Sequence, residues 1–103
     1  MNLRILREAE EESLQAALWY DGQLQGLGDD FLVEYAAALE VIEDNPLRFG
    51  RLETLSSNRN IRRCLLKRFP YVVIYEVLSE EIVVLAVAHG NRRPEYWRHR
   101  RPS

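Results

Sequence analysis

The 103-residue sequence predicts a single α+β domain over residues 1–103: a strand, a two-helix antiparallel hairpin and a three-stranded antiparallel meander, with the helices packed on one face of the sheet. Two observations support this prediction. Apolar residues recur at helical spacing in the first half of the chain, and runs rich in valine, isoleucine and tyrosine follow in the second half. The composition, 47% hydrophobic and 29% charged, is typical of a globular domain with one modest core.

The first half of the sequence predicts the opening strand and the helical hairpin. Leu3 and Ile5 alternate with polar neighbours, which indicates a short strand. The acidic run that follows favours the first turn of a helix predicted over residues 8–25, because carboxylates there oppose the positive end of the helix dipole. Gly26 ends this helix, and a second one, capped by an aspartate at position 29 or 30, stops before Pro46.

The second half predicts the meander. Its strands span residues 61–68, 71–78 and 82–88, which are rich in residue types that favour strands. Only three polar residues separate the last two strands, which is a hairpin signal, and Phe69-Pro70 punctuates the first two. Residues 47–60 have no apolar period and are expected to form a loop.

Charge is divided unevenly along the chain. The first 50 residues carry 3 basic and 11 acidic side chains, the remainder carries 11 basic and 5 acidic ones, and the net charge is -2. This division favours a local anion site, although a solvated charged surface explains it equally well. Tyr96 and Trp97 are expected to dock on the sheet, and residues 98–103 to form a flexible basic tail.

Several function classes are excluded by composition. The longest apolar run, Ile82 to Ala88, falls far short of the roughly 18 residues that suggest a membrane span. Cys64 is the single cysteine, which excludes an internal disulfide and a cysteine-rich zinc site. His89 and His99 have no partners at ligand spacing. We therefore expect a cytoplasmic protein with no metal, no cofactor and no membrane contact.

The densest group of chemically active side chains follows the last strand. His89, two adjacent arginines and Tyr96 lie within eight residues and supply a proton shuttle, fixed positive charge and a hydroxyl group. Phosphoryl chemistry needs these residue types, because a proton must be taken and given while cations stabilise the phosphate oxygens. A structural explanation stays open at this point, with His89 bonded to backbone, Tyr96 and Trp97 anchoring the tail, and the arginines solvated.

A second arginine pair lies on the first strand of the meander. Neighbouring strand residues face opposite sides of a sheet, so only one of Arg62 and Arg63 can face a shared site. Lys67 shares the face of Arg63, whereas Arg68 shares the face of Arg62, and the sequence does not choose between them. Cross-strand pairing with a group such as Glu76 is an equally good explanation of these arginines.

Three segments, Phe69 to Tyr75, Ile82 to His89 and Arg92 to Trp97, resemble the RelE/ParE superfamily of toxins from bacterial type II toxin–antitoxin systems. The resemblance spans most of the chain, because the opening strand and both helices fall in the family's order. It implies a small cytosolic toxin neutralised by a cognate antitoxin. RelE-like members cut messenger RNA on the ribosome without a metal, whereas ParE-like members share the fold and inhibit DNA gyrase.

The resemblance also implies residue roles. His89 would be the general base or acid, and Tyr96 the tyrosine that activates the RNA or stacks on it. One phosphate contact would be Arg63 or Arg62, and the other Arg93 or Arg92. Further contacts to RNA or to a partner protein fall on Arg62, Lys67, Arg92 and Arg98. The first expectation is therefore a metal-independent, ribosome-associated mRNA endonuclease. A non-catalytic gyrase inhibitor and an inactive binding module are the alternatives, because weak basicity lowers affinity for a polyphosphate target.

Overall fold

The computed structural model describes residues 1–52, 58–92 and 95–102. All six predicted elements are present in the predicted order, and the α+β class is confirmed. No described helix is long and apolar enough to cross a membrane. The elements are β1 (Asn2–Ile5), α1 (Arg7–Gln23), α2 (Leu27–Asp44), β2 (Ile61–Leu65), β3 (Tyr71–Val77) and β4 (Glu81–His89).

The four strands form one sheet in the order β1-β4-β3-β2. The last three strands form the predicted antiparallel meander, and β1 pairs in parallel with β4, from Asn2 opposite Glu81 to Ile5 opposite Val84. A parallel neighbour requires a long connection, which the hairpin and the rest of the sheet supply. Because β1 ends at Ile5, the last residues of β4 extend beyond it. The side chains of Glu12 and Arg100 bond to the backbone along this part of the β4 edge.

The two helices pack closely against each other. A Cβ atom on Gly28 would lie 2.3 Å from the carbonyl oxygen of Ala17, so only glycine fits this crossing. The predicted aspartate cap of α2 is wrong. Gly26, with φ at 91°, precedes the helix, and the Asp21 carboxylate accepts hydrogen bonds from the backbone N–H groups of Gly26 and Gly28. A left-handed glycine thus turns the chain, and a side chain of α1 satisfies the donors.

The main core lies between the helices and one face of the sheet. Small residues of α1 allow it to approach β4, and aromatic rings fill the space beside α2. The Phe31 ring lies 5.7 Å from Tyr20 and 5.2 Å from Phe69, measured between ring centroids. Core residues with no exposed surface on this face are Ala9, Phe31, Ile42, Val73, Tyr75, Ile82 and Val84.

A second, smaller cluster covers part of the opposite face. The register between β3 and β4 shifts after Ile74, so that Leu85 is an extra residue and both Leu85 and Ala86 belong to this cluster. Such a bulge redirects side chains along a strand. Trp97, 3% exposed, covers the cluster from the C-terminal segment, which confirms that part of the tail docks on the sheet. The other residues that the structure describes leave the rest of this face open.

Candidate functional site

A groove of about 630 Å³ lies on the open face of the sheet. Its floor follows from the strand register: Leu65 pairs with Val72, which pairs with Ala88, and Arg63 lies in the next row opposite Ile74. Other lining residues come from the loop before β2, the β2–β3 turn and the segment after β4: Leu52, Leu66, Phe69, Pro70, Tyr71, His89, Gly90, Arg92, Glu95, Tyr96 and Trp97. We call this the open groove.

The structure places the two adjacent arginines of β2 in different environments. Arg63 is exposed and lines the open groove. Arg62 lies outside the groove, and its guanidinium donates to the carbonyl oxygens of Phe49 and Leu47 at 2.6 and 3.3 Å and to Asn60 Oδ1 at 3.1 Å. It holds the loop before β2, so Arg63 is the arginine available to a ligand.

Three of the other candidate residues also line the open groove: His89, Arg92 and Tyr96. His89 Nδ1 accepts a hydrogen bond from the Asn91 backbone N–H at 2.9 Å, and its ring packs edge-on against Tyr71 at 5.1 Å. The end of β4 and the segment after it thus bring together three of the side chains that lie close together in the sequence. Arg93 lies outside the described residues.

Tyr96 is held by a carboxylate of α1, which the sequence assigns only to the acidic start of that helix. Its hydroxyl donates to Glu12 Oε2 at 2.6 Å. Burial, and then the hydrogen bond to Glu12, raise the pKa of Tyr96 well above the usual value for a tyrosine. The Arg92 guanidinium lies 4.0 Å from the centroid of the Tyr96 ring, and that of Arg100 lies 5.2 Å away. The hydroxyl and the ring are therefore both occupied within the protein.

Glu12 joins α1, β4 and the C-terminal segment. Its two carboxylate oxygens each accept from Arg100 at 3.1 Å, and Oε1 also accepts from the Val87 backbone N–H at 2.9 Å. Arg100 further donates to the Leu85 carbonyl at 2.8 Å. The two side chains are 16% and 10% exposed. They occupy the part of the β4 edge beyond β1, so a charged pair takes the place of a neighbouring strand.

A second buried ion pair fixes the same segment. Arg59 Nη2 lies 2.7 Å from Glu76 Oε1, and the Arg59 guanidinium donates to the carbonyl oxygens of Arg98 and Arg100 at 2.8 Å each. Residues 98–102, which the sequence predicts as a flexible tail, are therefore tied to the sheet through Arg98 and Arg100. Glu76 pairs with Arg59 rather than with Arg62 or Arg63.

The remaining candidates lie at other places. Lys67 is in the turn after β2, where its backbone N–H and that of Arg68 donate to Glu34 Oε2, and it lines a separate groove of about 280 Å³ beside α2. The Arg98 side chain is exposed and lies 3.9 Å from Glu95. Within the described ranges no group of His, Cys, Asp and Glu side chains could hold a metal ion.

Comparison with known proteins identifies the family of this chain. The protein-family model described as "ParE toxin of type II toxin-antitoxin system, parDE" matches residues 3–94, nearly the whole chain. The chain belongs to the ParE toxin family. The predicted RelE/ParE resemblance is thereby confirmed, and this ParE-family protein is a toxin of a type II toxin–antitoxin system.

A solved structure is similar to this ParE-family chain. It is titled "Chromosomal ParDE TA system from P. aeruginosa", and the match has a TM-score of 0.65 over 86% of this chain and 95% of that chain. At 18% identity the similarity shows a shared fold. No curated protein sequence matches the chain at a significant level.

Proposed function

We propose that this ParE-family toxin binds and inhibits DNA gyrase without cutting RNA, and that a cognate antitoxin neutralises it. The observation that carries the proposal is the state of Tyr96, the one hydroxyl group among the predicted catalytic residues. General acid–base catalysis needs a group that can exchange a proton near the working pH. The Tyr96 hydroxyl instead donates to Glu12, and burial together with this hydrogen bond raises its pKa further above the usual tyrosine value.

The rest of the open groove also favours binding over catalysis. Much of its surface is aliphatic, and the chain contains a single lysine, Lys67, which lines the other groove. Family membership supports the same conclusion, because inhibition of gyrase is the activity that resemblance to ParE-like members implies. The antitoxin partner is supported by the family description and by the ParDE title of the similar structure.

A metal-independent mRNA endonuclease is the second candidate. The observation that favours it is the meeting of Arg63, His89, Arg92 and Tyr96 around one groove, which are the residue types that phosphoryl chemistry requires. In this candidate His89 exchanges the proton through Nε2, because its Nδ1 atom is bonded to Asn91. The two candidates predict opposite effects of removing the proton-transfer groups.

The deciding experiment expresses the toxin without its antitoxin, maps 5' ends of cellular RNA and resolves plasmid topology from the same culture. We expect growth arrest with altered topology and intact transcripts. Tyr96→Phe and His89→Gln should still arrest growth and leave transcripts intact, because neither hydroxyl nor imidazole chemistry is used. New RNA ends that disappear in His89→Gln would establish the nuclease instead.

A purified system provides the direct control. Wild-type toxin should reduce supercoiling by the gyrase holoenzyme, and addition of the antitoxin should restore it. Full supercoiling activity in the presence of excess toxin would contradict the proposal, whatever the growth phenotype.

A further inference from the structure

The open groove combines an aliphatic floor with cations that have no acidic partner among the residues the structure describes. Leu65 is 68% exposed although it lies in a strand, and the half-buried Val72 lies beside it on β3. Arg63 and Arg92 are exposed and form no ion pair with any described residue. Glu95, the acidic residue of the lining, lies 3.9 Å from Arg98. Among the described residues, the uncompensated charge of the groove is therefore positive.

The aromatic residues of the groove are poorly placed to stack on nucleic-acid bases. Binding of single strands depends on ring faces on which bases can lie. Trp97 is 3% exposed, and the Arg92 guanidinium lies 4.0 Å from the centre of the Tyr96 ring. Tyr71 packs against the His89 ring. The apolar surface offered to a ligand is thus aliphatic rather than aromatic, which suits a protein segment better than an RNA or DNA strand.

The groove is also preorganised. Its C-terminal wall, which contains Tyr96 and Trp97, is fixed by the Glu12–Arg100 pair. The Arg59 guanidinium also fixes it by donating hydrogen bonds to the carbonyl oxygens of residues 98 and 100. A wall already ordered in the free protein lowers the entropy that binding costs. The volume of about 630 Å³ falls within the range of about 300–1,000 Å³ found for ligand sites.

We propose that the open groove binds a segment of the gyrase target in which an aliphatic side chain is flanked by carboxylates. The aliphatic side chain packs on Leu65 and Val72, and the carboxylates face Arg63 and Arg92. Removal of aliphatic surface from water supplies affinity, and the charges select the partner. This inference rests on the proposed function and names the surface and the chemistry through which it is exerted.

The test measures binding of the full-length toxin to the gyrase holoenzyme by surface plasmon resonance. Leu65→Asp and Arg63→Glu should each weaken binding by about tenfold or more, the range expected for anchor residues of an interface. The matched controls are Leu18→Asp and Arg7→Glu on α1, whose side chains are also highly exposed. They should stay within about twofold of wild type, as for surface positions outside an interface. All four positions are exposed, and a far-ultraviolet circular dichroism spectrum confirms that each variant folds.

The outcomes distinguish failure of the proposed function, gyrase inhibition, from failure of the inferred binding surface, the open groove. If wild-type toxin does not bind gyrase, the proposed function fails and the inference fails with it. If Leu65→Asp and Arg63→Glu bind as wild type does, or if only the α1 variants lose binding, gyrase inhibition stands and the inference is overturned.

A second arm uses a 20-nucleotide single-stranded RNA and a DNA duplex as probes. We expect Arg63→Glu to leave their weak binding unchanged. A nucleic-acid complex lost in Arg63→Glu, with an affinity that falls steeply as salt increases, would assign the groove to a polyphosphate instead.

Discussion

The two faces of the sheet are built from the same strands but differ in what covers them. On one face, α1 and α2 cover a continuous core in which Phe31 and Tyr75 have no exposed surface. On the other face, the C-terminal segment covers one part through Trp97, and Leu65 is left in solvent beside a groove. We call them the helix face and the open face. The comparison indicates that the helix face carries most of the stability, which leaves the open face available for binding.

The same division separates neighbouring residues. Arg62 is bonded to backbone carbonyls and contributes to the fold, whereas Arg63 lines the open groove. Residue type and position in the chain are nearly identical for the two, so only the alternation of side chains along β2 distinguishes them. The role of a strand arginine therefore follows from the face of the sheet on which its side chain lies. Membership of a basic cluster does not reveal that role.

The largest difference between the faces is expected for apolar truncations. Phe31→Ala should lower the free energy of unfolding by about 3–5 kcal/mol, because it leaves a cavity in a close-packed core. Leu65→Ala on the open face should change it by less than about 0.5 kcal/mol, as for other exposed positions. Urea denaturation of both variants measures the difference. Equal losses would show that the open face is part of the stabilising core.

A somewhat smaller loss is expected for the largely enclosed ion pair, Glu12 with Arg100, that joins the two faces. Glu12→Ala should lower the free energy of unfolding by about 3 kcal/mol, because it leaves the Arg100 guanidinium, 10% exposed, without the carboxylate that is hydrogen-bonded to it. The control is Glu11→Ala, whose carboxylate lies 3.9 Å from Arg7 in an exposed pair, and it should lose less than about 0.5 kcal/mol. If Glu12→Ala unfolds at the same urea concentration as Glu11→Ala, the pair does not anchor the C-terminal segment.

The smallest effect concerns the dependence of stability on alkaline pH. Burial raises the pKa of Tyr75 on the helix face to about 12, and its hydroxyl donates to the Pro46 carbonyl at 2.6 Å. Above about pH 10 a tyrosine in the unfolded chain ionises while this one stays protonated, so the unfolded state binds fewer protons. Stability should therefore fall between about pH 10 and 12, by up to about 1.4 kcal/mol per pH unit for this residue.

The matched variant is Tyr75→Phe. It should lose about 1 kcal/mol near neutral pH, the contribution of a typical hydrogen bond, and should show a shallower decline above pH 10 than wild type. Thermal or urea unfolding across this pH range measures both effects. An unchanged slope in Tyr75→Phe would show that Tyr75 titrates alike in the folded and unfolded chains.

Much of the fold could be predicted because its signals are local. The helical spacing in α2, the valine-rich runs of β3 and β4 and the short polar turn between those strands depend on residues close together in the chain. The cap of α2 differs from the prediction because it depends on a side chain of another helix. Asp29 and Asp30 have the residue type of a cap, but Asp21, from the preceding helix, reaches the donors once Gly26 turns the chain.

The class of fold, the order of the elements and the grouping of His89, Arg92 and Tyr96 after β4 can be read from the sequence, because they follow from periodicity and from short separations along the chain. The tertiary structure alone decided that β1 runs parallel to β4, that Arg63 rather than Arg62 faces the groove, and that Glu12 holds Tyr96. The last contact spans 84 positions. Pairings of this kind arise only when the strands align and bring distant side chains into register, and neither residue spacing nor composition encodes that alignment.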